Sequence, residues 1–327
     1  MASAVELRGL ESLSDLDVLG NMHRTAAIVD RVDPVSARER IPDANELARV
    51  FPLDRTIGNP DFILAIVNDE IVGYVHVLWR WNEAQGVRVY LHLGLVHPEW
   101  RGQGIGRLLV QKARERIREL AREDDAESSA VIATNVSSTE ARAKRLMDSE
   151  GYAVVRSLSD MAARPVPIQR DRPLASGIRI SELGAEDARA AYAAWKDAYS
   201  DSPLATEESE ADFDGFRHPW FDGSGSFRVL GAVYGGEVAG LVVSQQRNGV
   251  GVIHEVVVRK AYRRRGIASA LLIDSLNALI DAGVTQNRLF TDADNGSGAR
   301  SLYESLGFRE VKRHFLCRRP VDDAEAG

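Results

Sequence analysis

A basic, glycine-containing turn is the stretch of this sequence best suited to binding chemistry. It reads Arg263-Arg264-Arg265-Gly266-Ile267-Ala268, and it lies between a β-branched run at 256–258 and apolar residues at helical spacing. Gly266 and Ala268 have almost no side chain, so a ligand can approach the backbone there. The first amides of a helix lack intrahelical partners and attract anions. The stretch therefore predicts a strand, a pyrophosphate-binding turn and a helix.

The same strand–turn–helix pattern occurs once more, nearer the N-terminus. The run Arg-Gly-Gln-Gly-Ile-Gly at 101–106 aligns with the turn just described. The match continues upstream, where 69–74 aligns with 236–241, and downstream, where 146–152 aligns with 302–308. Three matching blocks in the same order indicate an internal duplication.

Length and composition indicate a globular protein of about two domains. The chain has 327 residues, of which 44% are hydrophobic and 27% charged, and its formal net charge is −7. This acidic balance argues against a nucleic-acid partner. A single cysteine, Cys317, excludes an internal disulfide and a cysteine-based metal site, and we expect no metal. Without a signal-like N-terminus or a run of membrane-spanning length, the sequence predicts a cytoplasmic protein with no membrane partner.

Each half of the sequence predicts an α/β (α+β) domain. Strand patterns joined by short turns favour antiparallel pairs, and helical patterns alternate with them. We therefore expect two tandem domains, each with a mixed, largely antiparallel, twisted sheet flanked by helices. Three prolines between 164 and 176 predict a stiff connection. The expected domains are 1–165 and 177–327, with a linker at 166–176.

The chain resembles the GNAT superfamily of N-acetyltransferases. The resemblance rests on Arg263-x-x-Gly266-x-Ala268 and Arg101-x-x-Gly104-x-Gly106, each between strand and helix, and on 295–308, Asn-Gly-Ser-Gly-Ala-Arg-Ser-Leu-Tyr-Glu-Ser-Leu-Gly-Phe. It covers nearly the whole chain and implies two GNAT domains in tandem, with acetyl-CoA as co-substrate. The cofactor contacts that it implies are Val256, Val257, Val258, Arg263, Arg264, Arg265, Gly266, Ile267, Ala268 and Asn295, and in the first copy Val96, Arg101, Gly102, Gln103, Gly104, Ile105 and Gly106.

The resemblance also implies the reaction and its proton transfers. In that superfamily an amine attacks the thioester carbonyl directly, and a proton must reach the departing thiolate. Tyr303 matches the superfamily's catalytic tyrosine, and a phenol with a pKa of about 10 can protonate a thiolate whose acid has a pKa of about 8.5. For the base, Glu255 and His254 are neighbours on one strand, so normally only one of them faces the amine. Glu255 is preferred, and His254 or a water stays an alternative.

The two copies differ at the positions that would transfer protons. Leu93 replaces Glu255 and Met147 replaces Tyr303, and neither replacement can transfer a proton. We therefore expect the C-terminal domain to be an acetyl-CoA-dependent N-acetyltransferase acting on a primary amine of a small molecule or peptide. The N-terminal domain would hold acyl-CoA at most. The alternative function is an acyl-CoA-binding sensor or regulatory protein without turnover, and a monomer and a homodimer both fit.

Overall fold

The chain folds into two compact units. The computed structural model of the protein describes residues 4–36, 39, 41–82, 87–124, 130–170, 174–200, 210–223, 227–293 and 298–321. Unit 1 comprises the described residues up to Ser157 and those from Arg313 onward, and unit 2 comprises Leu158–Lys312. The predicted domain limits, 1–165 and 177–327, are those of the duplicated halves of the sequence. The two units are defined differently, by which strands pair with each other, so the predicted limits stay a prediction.

Unit 1 is a mostly antiparallel sheet with helices. The strand order is β1-β2-β3-β4-β5-β12, in which β4 and β5 run parallel. One hydrophobic core includes residues of α4 and α5, and a second includes residues of α1 and α2. The elements are β1 (Glu6–Arg8), α1 (Leu13–Asp30), α2 (Ala44–Val50), α3 (Leu53–Thr56), β2 (Phe62–Val67), β3 (Glu70–Asn82), β4 (Arg88–Val96), α4 (Ile105–Glu123), β5 (Ala130–Ser137), α5 (Ala141–Ser149), the first part of β6 (Ala153–Ala163) and most of β12 (Arg309–Pro320).

Unit 2 repeats this plan with the strand order β6-β11-β10-β9-β8-β7, in which β10 and β11 run parallel. One core includes residues of α8, and another includes residues of α6 and α7. The predicted fold class is therefore confirmed for both units. The elements are β7 (Ile178–Glu182), α6 (Ala188–Tyr199), α7 (Glu210–Phe221), β8 (Phe227–Tyr234), β9 (Glu237–Arg247), β10 (Val250–Val258), α8 (Ile267–Asp281), β11 (Gln286–Asp292) and α9 (Ala299–Ser305).

Each half of the sequence contributes one strand to the unit that the other half mainly forms. Residues 158–163 of β6 pair with 287–292 of β11 in unit 2. Residues 314–320 of β12 pair with 131–137 of β5 in unit 1. We call this arrangement strand exchange. Neither half of the sequence therefore contains all the strands of its own unit.

Local sequence explains how the helices begin. α2 begins with a capping box, in which the Glu46 amide donates to the Asp43 side chain and the Asp43 amide donates to the Glu46 side chain. α4 and α8 begin instead after Gly104 and Gly266, whose φ angles of 88° and 78° lie in the left-handed region. Neither helix has a side-chain cap hydrogen bond, so the amides of its first turn are left for another acceptor.

The first part of the predicted linker belongs to unit 2. The Ile168 amide donates to Asn277 Oδ1 on α8, and the Ile168 carbonyl accepts from Asn277 Nδ2, both at 2.9 Å. Arg170 forms an ion pair with Asp274 of the same helix. This part of the segment therefore does not act as a free connection.

A buried ion pair joins the exchanged strand β6 to β11. Asp160 Oδ2 lies 3.0 Å from Arg288 Nη2, and the two side chains are 0% and 4% exposed. Because removing one partner leaves the other charge buried, we expect Asp160→Ala to lower the free energy of unfolding by about 3–5 kcal/mol. Chemical denaturation measures this loss. The double variant Asp160→Leu/Arg288→Met removes both charges and should recover most of the stability, whereas equal losses in the single and double variants would contradict this account.

Candidate active site

A β-bulge in β10 determines which side chains face the candidate site. Ile253 pairs with Ser244 of β9 and Glu255 pairs with the next residue, Val243, so His254 is the extra residue of β10. A bulge interrupts the alternation of side chains along a strand. Ile253 accordingly packs in the core on the α8 face, whereas Glu255 is directed at α6.

Glu255 is held by two aromatic side chains of α6. Its Oε1 accepts a hydrogen bond from the Tyr199 hydroxyl at 2.7 Å, and its Oε2 accepts one from Trp195 Nε1 at 3.2 Å. Burial raises the pKa of the Glu255 carboxyl, and the two hydrogen bonds oppose that rise. A carboxylate with a raised pKa is suited to accepting a proton from a substrate.

β10 and β11 separate beside Glu255. Their parallel pairing ends at Ile253 and Leu289, although β10 continues to Val258 and β11 to Asp292. The backbone of β10 beyond His254 therefore has one edge that β11 does not occupy. An extended ligand could hydrogen-bond to this edge as an added strand would.

The three valines of β10 can face a cofactor mainly through their backbone. Val257 is 5% exposed and packs in the α6 and α7 core. Val256 and Val258 pack against the α8 core. Their predicted cofactor contacts therefore depend on the free edge of the strand.

Tyr303 of α9 lies close enough to Glu255 for the carboxylate charge to act on it. Burial and the negative charge of Glu255 raise the pKa of Tyr303 to about 12. The Tyr303 ring is half-buried and packs edge-on against Phe308, with centroids 6.3 Å apart. The phenol is consequently protonated at neutral pH, which is the form that can donate a proton.

His254, the other predicted base, does not join that pair. His254 is exposed, with Nε2 3.1 Å from Gln245 Oε1 and its ring against Phe227 at 5.0 Å between centroids. Its role as a base stays a prediction. Asn295 lies outside the described residues.

The start of α8, in the same unit, offers an anion site. Gly266 precedes the helix, and a Cβ placed there would meet no atom within 4 Å, so the backbone borders open space. Ile267 is 1% exposed and anchors the helix in the core, and Ala268 follows it. The amides of this first turn have no carbonyl four residues earlier in the helix, which favours a pyrophosphate there.

The three arginines of the turn point in different directions. Arg263 donates to the carbonyls of Val258 and Ala198, at 3.3 and 2.8 Å, so its guanidinium fastens the turn to α6. Arg264 has a φ of 62°, and its Nη1 lies beside Gly298, in front of α9. Arg265 lies over the Tyr262 ring, 5.4 Å from its centroid. Their contact with a pyrophosphate stays a prediction.

Unit 1 has the same turn in the same conformation. Gly102 and Gly104 have φ angles of 85° and 88°, and Gly104 also borders open space. Arg101 makes a two-pronged ion pair with Asp30 of α1, at 2.6 and 2.7 Å, and its Nε donates to the Val96 carbonyl. The guanidinium of Arg101 therefore fixes the turn to α1.

The remaining predicted residues of the unit 1 turn are partly structural. Gln103 Nε2 donates to the Glu99 carbonyl at 3.4 Å, and Ile105 is 2% exposed. A Cβ at Gly106 would lie 3.2 Å from Leu146 Cδ2, so the helix packs closely against α5 there. The cofactor contacts proposed for this copy stay predictions.

Unit 1 lacks proton-transfer groups at the positions matching Glu255 and Tyr303. Met147 is 6% exposed in the α4 and α5 core, and Leu93 is half-buried. His92, which matches His254, is buried with its Nε2 2.8 Å from the Tyr152 hydroxyl. Burial lowers the pKa of His92 to about 4, so this imidazole is neutral at pH 7.

Sequence reasoning missed Trp195 and Tyr199, the residues that hold Glu255. Tyr192, Trp195 and Tyr199 are spaced as one face of a helix, and this stripe was the available signal. Such a stripe usually indicates core packing, and Tyr192 does pack in the core. The polar contact of Trp195 and Tyr199 with a strand residue far along the chain is not visible in the sequence.

Three other observations concern metals, membranes and Cys317. Within the ranges that the structure describes, no cluster of three or more His, Cys, Asp or Glu side chains could hold a metal. No helix in those ranges is both long and apolar enough to cross a membrane. Cys317 is buried on β12, and burial raises the pKa of its thiol.

Two models of one acetyltransferase family match the sequence. The model described as "Acetyltransferase (GNAT) family" matches residues 190–308, and the model described as "Acetyltransferase (GNAT) domain" matches residues 58–154. Together the two matches cover more than half of the chain.

Curated relatives extend the similarity over most of the length. A protein of Salinispora arenicola named mycothiol acetyltransferase is 28% identical over 310 residues, which are 91% of this chain and 91% of that protein. A protein of the same name from Nocardiopsis dassonvillei is 27% identical over 297 residues, which are 82% of this chain and 84% of that protein.

Solved structures share the fold of the whole chain. A GCN5-related N-acetyltransferase from Sphaerobacter thermophilus has a TM-score of 0.71 at 25% identity, covering 97% of this chain and 96% of that chain. A tandem GNAT protein from the clavulanic acid biosynthesis pathway has a TM-score of 0.63 at 17% identity, covering 98% and 100%. These similarities confirm the predicted tandem arrangement.

Proposed function

Because the chain belongs to the GNAT family of acetyltransferases, with two GNAT domains in tandem, we propose that unit 2 transfers an acetyl group from acetyl-CoA to a primary amine. The observation that supports this most is the convergence of three features in unit 2. The charge of Glu255 acts on Tyr303, and β10 separates from β11 beside Glu255. α8 begins with backbone amides that no side chain caps. Such a site can position a base, an acid and an anionic carrier around one extended substrate.

The two side chains supply the proton transfers that the reaction needs. Glu255 accepts a proton from the acceptor nitrogen, which leaves a lone pair to form the C–N bond with the acetyl carbon. As the C–S bond breaks, Tyr303 donates its proton to the departing sulfur. The nitrogen of the adduct still carries one proton more than the amide product, and this proton restores the Tyr303 phenol. Glu255 releases its own proton to solvent at the end of the cycle. The raised pKa of Glu255 suits a base, and the protonated phenol of Tyr303 suits an acid.

The residues of unit 2 fit the carrier in two places. The open space at Gly266 and the amides of the first turn of α8 suit the pyrophosphate. The free edge of β10 suits the extended, amide-containing arm that leads to the thioester. Val256, Val257 and Val258 would bind that arm through backbone groups, and Asn295 remains a predicted contact.

The acceptor that we propose is a primary amine of a small molecule or a peptide. The relatives named mycothiol acetyltransferase support the small-molecule choice. The elements on the Glu255 side of the sheet, α6 and α7, would contact the acceptor, because Glu255 is directed at α6.

Unit 1 supports a second candidate function, acyl-CoA binding without turnover. It keeps the open glycine turn at Gly104 but has Leu93 and Met147 where unit 2 has its base and acid. A site of this kind could sense or store the carrier, but it could not transfer the protons described above.

Calorimetric titration of acetyl-CoA into the full-length protein tests these assignments. Gly266→Glu places a carboxylate where the pyrophosphate would bind, so we expect it to weaken binding at unit 2 by two orders of magnitude or more and to abolish turnover. Gly104→Glu should leave turnover unchanged and remove any binding at unit 1.

Matched variants separate this effect from backbone strain. Gly283 and Gly58 have φ angles of 79° and 74° and also border open space, so Gly283→Glu and Gly58→Glu impose the same strain away from the turns. They should bind acetyl-CoA normally. If Gly104→Glu loses binding and Gly266→Glu does not, acetyl-CoA binds at unit 1 and the assignment to unit 2 is wrong. An unmodified protein that binds no acetyl-CoA would refute the proposal.

A further inference from the structure

The aromatic stripe of α6 holds Trp195 firmly in one orientation. Its ring stacks on Tyr192, with centroids 6.2 Å apart, and contacts Tyr199 at 5.0 Å. From α7, Phe216 packs against it at 5.8 Å. Contacts on several sides therefore fix the direction of the indole N–H, which donates to Glu255.

Glu255 receives its side-chain hydrogen bonds from neutral donors. Trp195 donates to one oxygen and Tyr199 to the other, and the described residues provide no ion pair for the carboxylate. A buried carboxylate without a cation tends to take up a proton and to lose its fixed orientation. The two aromatic donors therefore stabilise the ionised carboxylate and fix its orientation, as a cationic partner would.

We propose that Tyr199 and Trp195 are positioning residues for acetyl transfer, which fix the Glu255 carboxylate beside the separation of β10 and β11. A carboxylate has about four acceptor sites, so the two donors leave others for the amine. Neither ring has to touch the acceptor. This inference rests on the proposed function, because it assumes that Glu255 is the base.

The two hydrogen bonds to Glu255 should affect how activity changes with pH. Among the residues that the structure describes, the groups that face Glu255 are Trp195 and Tyr199 from α6, Tyr303 from α9 and the Val256 amide of β10. Burial raises the pKa of Glu255, and the bonds from Tyr199 and Trp195 lower it. Removing either donor should raise that pKa further. Because a base must be ionised, the acidic limb of the pH–rate profile should then move to higher pH.

A carbon-13 NMR titration of the full-length protein, labelled at the glutamate δ-carbon, measures the pKa directly. Glu255→Gln identifies the resonance. We expect its midpoint to rise in Tyr199→Phe and in Trp195→Phe, and to stay constant in Tyr192→Phe, the same substitution on the same helix. An unchanged midpoint in both Tyr199→Phe and Trp195→Phe would overturn the proposal.

Kinetics with acetyl-CoA and D-glucosamine, a small primary amine used as the probe, provide the second readout. We expect kcat/KM of Tyr199→Phe to fall about 10- to 100-fold at pH 6 and to recover to within about threefold at pH 9. An equal loss at every pH would show a merely structural role and would overturn the proposal. An unmodified protein without turnover would count against the proposed function. The NMR titration requires no turnover and tests the positioning role by itself. Failure of the proposed function and failure of the positioning role are therefore distinguishable.

Discussion

Replacing Tyr303 by phenylalanine is expected to lower kcat by about 10²- to 10⁴-fold while leaving the Kd for acetyl-CoA within a few-fold. The phenylalanine ring preserves the packing against Phe308 but removes the proton that the departing sulfur needs. Steady-state assays of thiol release with acetyl-CoA and D-glucosamine measure kcat, and calorimetry measures the Kd.

The raised pKa of Tyr303 also predicts how the rate should depend on pH. An acid must be protonated to act, and the phenol stays protonated up to about pH 12. Tyr303 should therefore produce no fall in activity between pH 7 and 10. Tyr234→Phe, which changes an exposed tyrosine of β8, is the matched control. A Tyr303→Phe protein with undiminished kcat would remove this residue from the mechanism.

Lowering the pH from 7 to about 4.5 is expected to unfold unit 1 before unit 2. Burial lowers the pKa values of His23, His76 and His92, all in unit 1, to about 4 each. In an unfolded chain a histidine has a pKa of about 6.5, so the unfolded state binds more protons between these values. The buried imidazoles are neutral in the folded state. They therefore do not lower the free energy of unfolding above pH 6.5, and they lower it progressively as the pH falls from 6.5 towards 4.

The size of this effect is comparable with the stability of a domain. For His92, which is 2% exposed, the difference of about 2.5 pKa units corresponds to about 3 kcal/mol. His23 and His76, which are half-buried, add to this loss. The usual free energy of unfolding of a protein is about 5–15 kcal/mol.

Hydrogen exchange of α4 and α8 peptides between pH 7 and 4.5, corrected for intrinsic rates, measures which unit opens first. His92→Gln should reduce the pH dependence of unit 1. His218→Gln, at an exposed position of α7, should not. Simultaneous loss of protection in both units would contradict the expectation.

The duplication made most of the fold predictable from the sequence. The two glycine turns recur with the same spacing from their strands, and the turns have matching backbone angles in both units. Long periodic segments such as α4 and α8 were predicted because their patterns are local. α7 was not predicted, because Gly215 and Pro219 disfavour a helix, which here is stabilised by packing of Phe213 and Phe216.

Strand exchange and the surroundings of Glu255 could not be predicted, because both are non-local. β6 has no strong alternation, and its partner strand β11 lies more than one hundred residues later in the chain. Whether Glu255 or His254 faces the site depends on the bulge in β10, which the sequence does not mark. The sequence identified Glu255 as a candidate, and the aromatic donors became visible only in the structure.

Strand exchange also sets the order in which the units can form during synthesis on the ribosome. Unit 2 has all of its strands, including 158–163, once the chain has been made as far as Lys312. Unit 1 still lacks 314–320 at that point, so the long edge of β5 stays open while the ribosome makes the whole of unit 2. Domains generally fold from the N-terminus onward. In this protein the nascent N-terminal unit must wait, and the open edge of β5 is where a chaperone would be needed most.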